Sequence, residues 1–319
     1  MADSRVCTLP KVRVDEETKH KIRETLNHIS QLYNTGKPLF TRRVLEDLSR
    51  QIDEGKEEVY IPNLDDVPRV YNLKPLLLDS DTYFICYQGI QSLCHIHPYS
   101  PESFLRGALT PTIHGAFVRQ RQIWLESDSH QNLEHHLATL KTTANIRKIV
   151  CFGLGTLRRL GDDEYTRTHT QHAAVETMVA SLAKRGLNGS QEIKCYAQDL
   201  EYDEVDQEFL RSIGITTLKD PKGFLEVDEH GLVFSVCPDT PVKQIVTDLH
   251  WPAAMIWDTV TPSEKNQTEM FPRLKKDKKG GLWKSHWPIT DPDSERVHSD
   301  GYFGNLTIYM KCEELSNGN

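Results

Sequence analysis

The 319-residue sequence predicts an α/β chain: a Rossmann-like, mostly parallel sheet with helices on both faces, preceded by a helical and mixed N-terminal region. Three observations predict it. From Lys148 onward, short apolar runs alternate with amphipathic segments across brief connections, which calls for parallel strands joined by right-handed crossovers. The first of those runs closes on Gly153-Leu154-Gly155, the kind of strand-to-helix turn such sheets place against a ligand. Ahead of Lys148, apolar residues recur mainly at helical spacing, with only short strand-like runs between. The expected division is an N-terminal region, 1–145, packing on a core, 146–319, that carries a lysine-rich excursion at 261–300.

In chain order, Ile22, Leu26, Ile29, Leu32 and Tyr33 mark a first helix, stopped by Gly36 and Pro38. Val44, Leu45, Leu48 and Ile52 mark a second. Residues 56–90 read as short strands, among them Tyr83 to Tyr87. A helix around Leu133, Leu137 and Leu140 leads to the strand Lys148 to Phe152. Val175, Met178, Val179 and Leu182 then line a helix ended by Gly186. The next strand is Ile193 to Ala197, leading to Asp199. Phe209, Leu210 and Ile213 give a helix with Gly214 as its stop. Ile215 to Leu218 and Leu232 to Val236 are the third and fourth strands of the sheet. Pro241 suits the first turn of a helix through Val242, Ile245, Val246 and Leu249. Ala253 to Trp257 is the fifth strand, and Leu306 to Met310 can return as an edge strand.

Composition narrows the function classes. Hydrophobic residues at 38% and charged residues at 26% fit a globular chain. A formal charge of −8 argues against broad nucleic-acid coating, leaving room for one local basic patch. Seven cysteines without a CxxC pair point to reduced thiols rather than a disulfide scaffold. Residues 1–20 are too polar for a secretory leader, and no apolar run approaches a membrane span of about 18 residues. A cytoplasmic chain is expected.

Candidate chemistry gathers at strand ends. Gly153 and Gly155 can bring backbone close to a ligand, but Arg158 stands where the dinucleotide fingerprint has its third glycine. Asp199 lies 46 residues past Gly153, against ~20 for a nucleotide-ribose acid. No nicotinamide or other cofactor is expected. Thr168 to His172 fall at or near the start of the first sheet helix. His169 and His172 lack a third partner for a metal, and His95-x-His97 is equally thin, so no metal is expected. His135 and His136 read as helix surface. Asp199 suits polar recognition. Cys237 is either a nucleophile or a small buried hydrophobe, since no base stands beside it in sequence. Arg273, Lys275, Lys276, Lys278, Lys279 and Lys284, with Trp283 and Trp287, form the one basic run. It is either a solvated loop or a contact to RNA phosphates with aromatic stacking.

Several blocks carry a resemblance: Ile149 to Gly155, Thr170-Gln171-His172-Ala173-Ala174, Tyr196 to Asp199, Asp220 to Leu225, and Pro252 to Met255. With Leu32 to Pro38 and Asp291 to Ser294, they resemble the sensitivity-to-red-light-reduced family in its filamentous-fungal form, over roughly residues 30–310. The resemblance implies one of two functions. One is a tRNA-dependent synthase that condenses arginine and a second amino acid from aminoacyl-tRNAs into a diketopiperazine for secondary metabolism. The other is a non-enzymatic regulator of haem homeostasis, stress or circadian-type responses. An Asp-Asp-x-x-Glu motif associated with the synthase branch has no match here. The nearest acidic runs are Asp162-Asp163-Glu164, Asp65-Asp66 and Asp203 to Glu208.

A synthase must orient two activated esters, hold a guanidinium with an acid and move protons. For that reading the catalytic candidates are Asp199, His172 and Cys237, and the substrate-binding candidates Gly153, Gly155, Thr156, Gln171 and Asp239. Arg273, Lys275, Lys276, Lys278 and Lys279 would hold tRNA. The expected partners are arginyl-tRNA and a second aminoacyl-tRNA, with no DNA and no membrane; the oligomeric state is left open.

Overall fold

The computed structural model describes residues 15–63, 65–73, 83–86, 95–98, 110–140, 145–158, 162–185, 191–236, 238, 240–258, 283–288, 303 and 306–311. Helices α1 (Glu16–Asn34) and α2 (Arg42–Asp53) come first, followed by strands β1 (Glu58–Pro62) and β2 (Pro68–Asn72), which pair antiparallel. Thr41 caps α2 by accepting from the Val44 N–H, as a short hydroxyl side chain does at a helix start. Strands β3 (Tyr83–Cys86) and β4 (His95–Pro98) form a second antiparallel pair. Two helices then precede the main sheet, α3 (Thr110–Leu125) and α4 (Asp128–Thr139). The apolar periodicity anticipated α4 but not α3, whose outward face carries Val118 and Ile123 and so blurs the pattern.

The main sheet is built from β5 (Lys148–Phe152), β6 (Lys194–Gln198), β7 (Ile215–Thr217), β8 (Gly231–Ser235), β9 (Ala254–Asp258), β10 (Trp283–Pro288) and β11 (Leu306–Lys311). Between them run α5 (Asp162–Lys184), α6 (Glu204–Ser212), α7 (Lys222–Leu225) and α8 (Val242–Leu249). The seven strands lie in the order β10-β11-β9-β8-β5-β6-β7. The pairs β5–β6, β6–β7, β5–β8 and β8–β9 are parallel, while β9–β11 and β10–β11 are antiparallel. Read from β7 to β9, this is a Rossmann-like order whose direction of winding reverses between β5 and β8. Open α/β sheets bind ligands beyond the carboxyl ends at such a point.

Three expectations are corrected. Residues 283–288 form a strand inside the lysine-rich excursion, and β11 is therefore an inner strand rather than the edge. An outermost strand hydrogen-bonds on one side only, so it tolerates lysine and a terminal proline such as Pro288. Helix α5 starts at Asp162, which puts Thr168 to His172 well inside it; the polar Thr166–Gln171 stretch hid its start. Pro241 is the N-cap of α8 rather than its first helical residue.

Both faces of the sheet are covered, as alternation along the strands requires. Ile149, Cys151, Ala197 and Phe234 face a core shared with Phe117, Leu133, Leu137, Met178 and Phe209, from α3, α4, α5 and α6. Val150, Phe152, Val233 and Met255 face a second core with Leu45, Leu48, Val59, Phe224 and Ile245, from α2, β1, α7 and α8. Polar contacts fix the outer layers in place. Trp124 Nε1–H donates to Thr177 Oγ1 at 2.9 Å, tying α3 to α5. The Asp248 carboxylate of α8 accepts from the backbone N–H groups of Leu39 and Phe40 at 2.6 and 3.0 Å. Arg42 donates to the Leu225 carbonyl at 2.7 Å. Among the described residues no helix is long and apolar enough to cross a membrane.

Candidate functional site

The site is assembled where β5 and β6 end. Gly153 has φ +69°, and a Cβ there would lie 3.0 Å from Cβ of Pro238, in the loop after β8. The loops flanking the switch point thus meet backbone to side chain, a contact only glycine permits. Gly155, at φ +77°, is closed in the same way by Thr168 of α5, whose Cγ2 would be 2.9 Å from a Cβ.

Asp199, just past β6, grips that turn. One carboxylate oxygen accepts from the Gly155 N–H at 2.7 Å, the other from the Glu201 N–H at 2.8 Å. Burial of the carboxyl pushes its pKa up to about 6, against these two hydrogen bonds, which favour the charged form. Asp206, in the first turn of α6, repeats the arrangement one step along the chain. It accepts from Thr156 Oγ1–H at 2.7 Å, from Leu157 N–H at 3.0 Å and from Asp203 N–H at 3.2 Å. Its pKa is likewise pushed to about 6 by burial. Asp203 is the N-cap of α6 and forms a reciprocal capping box with Asp206. Its second oxygen holds the Arg158 guanidinium. Thr156 N–H reaches Glu201 at 3.3 Å. The turn after β5 is therefore laced to the loop after β6 by carboxylates.

Beneath the turn lies His172, fully buried. Its Nδ1 is 2.7 Å from the Thr168 carbonyl, which can only accept, so Nδ1 carries the proton. Nε2 then accepts from the Tyr202 hydroxyl at 2.8 Å. Burial lowers the His172 pKa to about 4 and pushes Tyr202 well above its ordinary range, so this pair is neutral. Cys151 and Cys195, free and buried on β5 and β6, lie in the core below, and burial raises the Cys151 thiol.

On the other face of the same strand ends, Gln198 donates to Asp220 at 3.0 Å and accepts from the Gly223 N–H at 2.7 Å. A Cβ on Gly223 would sit 2.6 Å from the Gln198 Oε1, so this glycine is what lets α7 approach the sheet. Phe224 follows and stacks on Phe152 at 4.5 Å between ring centroids.

Together these contacts span the segments Ile149 to Gly155, Tyr196 to Asp199 and Asp220 to Leu225, and the SRR1 domain matches residues 129–310, more than half of the chain. The chain belongs to the SRR1 family. No curated protein and no solved structure matches it. The SRR1 segment begins in α4 and ends in β11, so it holds the whole seven-stranded sheet, while α1, α2, β1, β2 and α3 precede it.

Of the sequence-predicted site residues, the SRR1 fold brings Gly153, Gly155, Thr156, Asp199 and His172 together around the β5 and β6 ends. Gln171 is buried within α5. Cys237, Asp239 and the run Arg273, Lys275, Lys276, Lys278 and Lys279 lie outside the described residues. Sequence reasoning missed Arg158, Asp203, Asp206 and Tyr202 as site members, and Gln198 with Gly223. The Asp203-x-x-Asp206 spacing just before an apolar run was the available signal for the capping box. Among the described residues, no group of three His, Cys, Asp or Glu side chains is placed to hold a metal ion.

Proposed function

We propose that this SRR1-family chain is a tRNA-dependent, arginine-incorporating cyclodipeptide synthase whose chemistry takes place beyond the ends of β5 and β6. The observation that carries this reading is the pairing of Arg158 with Asp203: the acidic cluster of Asp199, Glu201, Asp203 and Asp206 already holds one guanidinium. Carboxylates are the natural partners of that planar donor, and a substrate arginine presents the same group. Asp199, at the end of β6 and with a pKa near 6, can accept the proton that the attacking amine must lose.

In this reading the amine of one aminoacyl ester attacks the carbonyl of the other and frees one tRNA. The free amine of the resulting dipeptidyl ester then attacks its own ester carbonyl, closing the ring and freeing the second tRNA. Both steps start from activated esters, so orientation and proton removal are the demands on the protein. The basic run of Arg273, Lys275, Lys276, Lys278 and Lys279 is assigned to the tRNA acceptor ends.

One observation favours the other family role, a non-enzymatic regulator in haem, stress or circadian-type responses. Each carboxylate oxygen of Asp199 and Asp206 accepts a hydrogen bond from within the chain, which is also what a structural clasp requires. Expression in a microbial host, with mass spectrometry of the medium for arginine-bearing diketopiperazines, separates the two. A cyclo-arginine product, abolished by ribonuclease in a cell-free reaction and falling as pH drops below about 6, is the expected result. Folded protein with charged tRNA and no product assigns the chain to the regulatory role.

A further inference from the structure

We propose a second site, for an oxyanion (a phosphate or carboxylate group of a ligand), at the N-terminus of α8 where β8 and β9 end. Three features converge there. Ser235 is the last residue of β8 and 1% exposed, and its Oγ has no hydrogen-bond partner among the described residues. Trp257, 4% exposed near the end of β9, leaves its Nε1–H in the same state. Buried polar atoms are nearly always paired, so two orphans at neighbouring positions call for a missing acceptor.

The two side chains are neighbours on one face. Val233 lies across from Met255 and Phe234 from Ile256, and both Val233 and Met255 belong to the core under α8. Ser235 and Trp257 are two residues further along each strand and so point the same way. Helix α8 starts over Trp257: Lys243 Nζ, in its first turn, stands 5.6 Å from the centre of the ring. No side chain caps α8, whose N-cap is Pro241. The Val242 N–H is taken by the Thr240 carbonyl at 2.7 Å, and the positive dipole end of the helix lies at the carboxyl ends of the strands, as the β8–α8–β9 crossover requires.

The donor set selects the ligand. An indole N–H can only donate, an ammonium can only donate, and a hydroxyl does either. Together with an uncapped helix start they suit an anion with several acceptor oxygens. The half-buried Lys243 side chain lies over the ring and brings its ammonium beside the indole. The site is distinct from the acidic cluster and does not depend on which reaction that cluster performs.

The test uses the full chain labelled with nitrogen-15. The Trp257 indole resonance, identified among five tryptophans by Trp257→Phe, is followed in titrations with inorganic phosphate and with acetate, at ionic strength held constant with chloride. A saturable shift is expected; saturation by phosphate alone or by acetate alone identifies which oxyanion the site takes. Ser235→Ala and Lys243→Met should each weaken that binding about tenfold, the loss expected for one strong hydrogen bond to a charged group. Lys243→Met keeps most of the side chain's apolar stem over the ring, so it reads out binding even if Ser235→Ala fails to fold. No saturable shift with either anion, or an unchanged affinity in Lys243→Met, overturns the proposal.

Discussion

At the scale of single residues, the chain spends buried carboxylates on backbone geometry. Asp199 and Asp206 have carboxyl pKa values pushed from 3.8 to about 6, so the folded state takes up protons between those values that the unfolded chain does not. Their contribution to stability is therefore full below the unfolded value and is lost as pH rises through 6. His172 runs the other way: with its pKa lowered from 6.5 to about 4, it favours the fold above 6.5 and opposes it as pH falls toward 4. Comparing the native chain with Asp199→Asn cancels the histidine, which both share. Urea unfolding at pH 7.5 and 4.5 should show the native chain gaining about 1–2 kcal/mol on the variant at the lower pH. A difference independent of pH would place the Asp199 carboxyl in an ordinary solvated setting.

Single elements are held in register by small numbers of polar locks, and these are where substitutions should bite hardest. Asp206→Ala removes the acceptor of Thr156 Oγ1, Leu157 N and Asp203 N at once. We expect a loss of about 2–4 kcal/mol, whereas Glu208→Ala on the exposed side of α6 should stay within about 0.5 kcal/mol; chemical denaturation of both variants checks this. Gly223→Ala forces a Cβ against the Gln198 amide and should cost about 1–3 kcal/mol. Because that clash is with one side chain, the cost should shrink in a Gln198→Ala background. A double-mutant cycle with no coupling would place the strain elsewhere.

For the molecule as a whole, both faces of the sheet depend on segments that precede it. Leu45, Leu48, Val59 and Ile61 complete one core; Ile113, Phe117, Trp124, Leu133 and Leu137 complete the other. Each buried aliphatic or aromatic side chain contributes about 1.5–3 kcal/mol, so stripping both layers exceeds the 5–15 kcal/mol typical of a domain. A fragment of residues 146–319 alone should be unfolded or aggregated. Near-ultraviolet circular dichroism and limited proteolysis on that fragment would show it, and a native-like spectrum would mean the core stands without its cover.

Much of the fold was legible in the residues themselves. β5 to β9 fell within a residue of their apolar runs, because buried parallel strands need continuous Val, Ile, Phe and Cys whatever surrounds them. The Gly153 and Gly155 turn was legible because no other residue takes that backbone at that approach. What only the tertiary structure decided is which polar residues meet. Asp203 and Asp206 stood in the sequence only as part of an acidic run until α6 set Asp206 against Thr156 and Leu157 and Asp203 against Arg158, 45 to 50 positions back along the chain. Ser235 and Trp257 became neighbours only through the pairing of β8 with β9, and Trp257 met Lys243 only through the crossover of α8. Periodicity is a local property set by burial, so the sequence by itself determined the layers. Hydrogen-bond partnership depends on positions in space, and only folding supplies those.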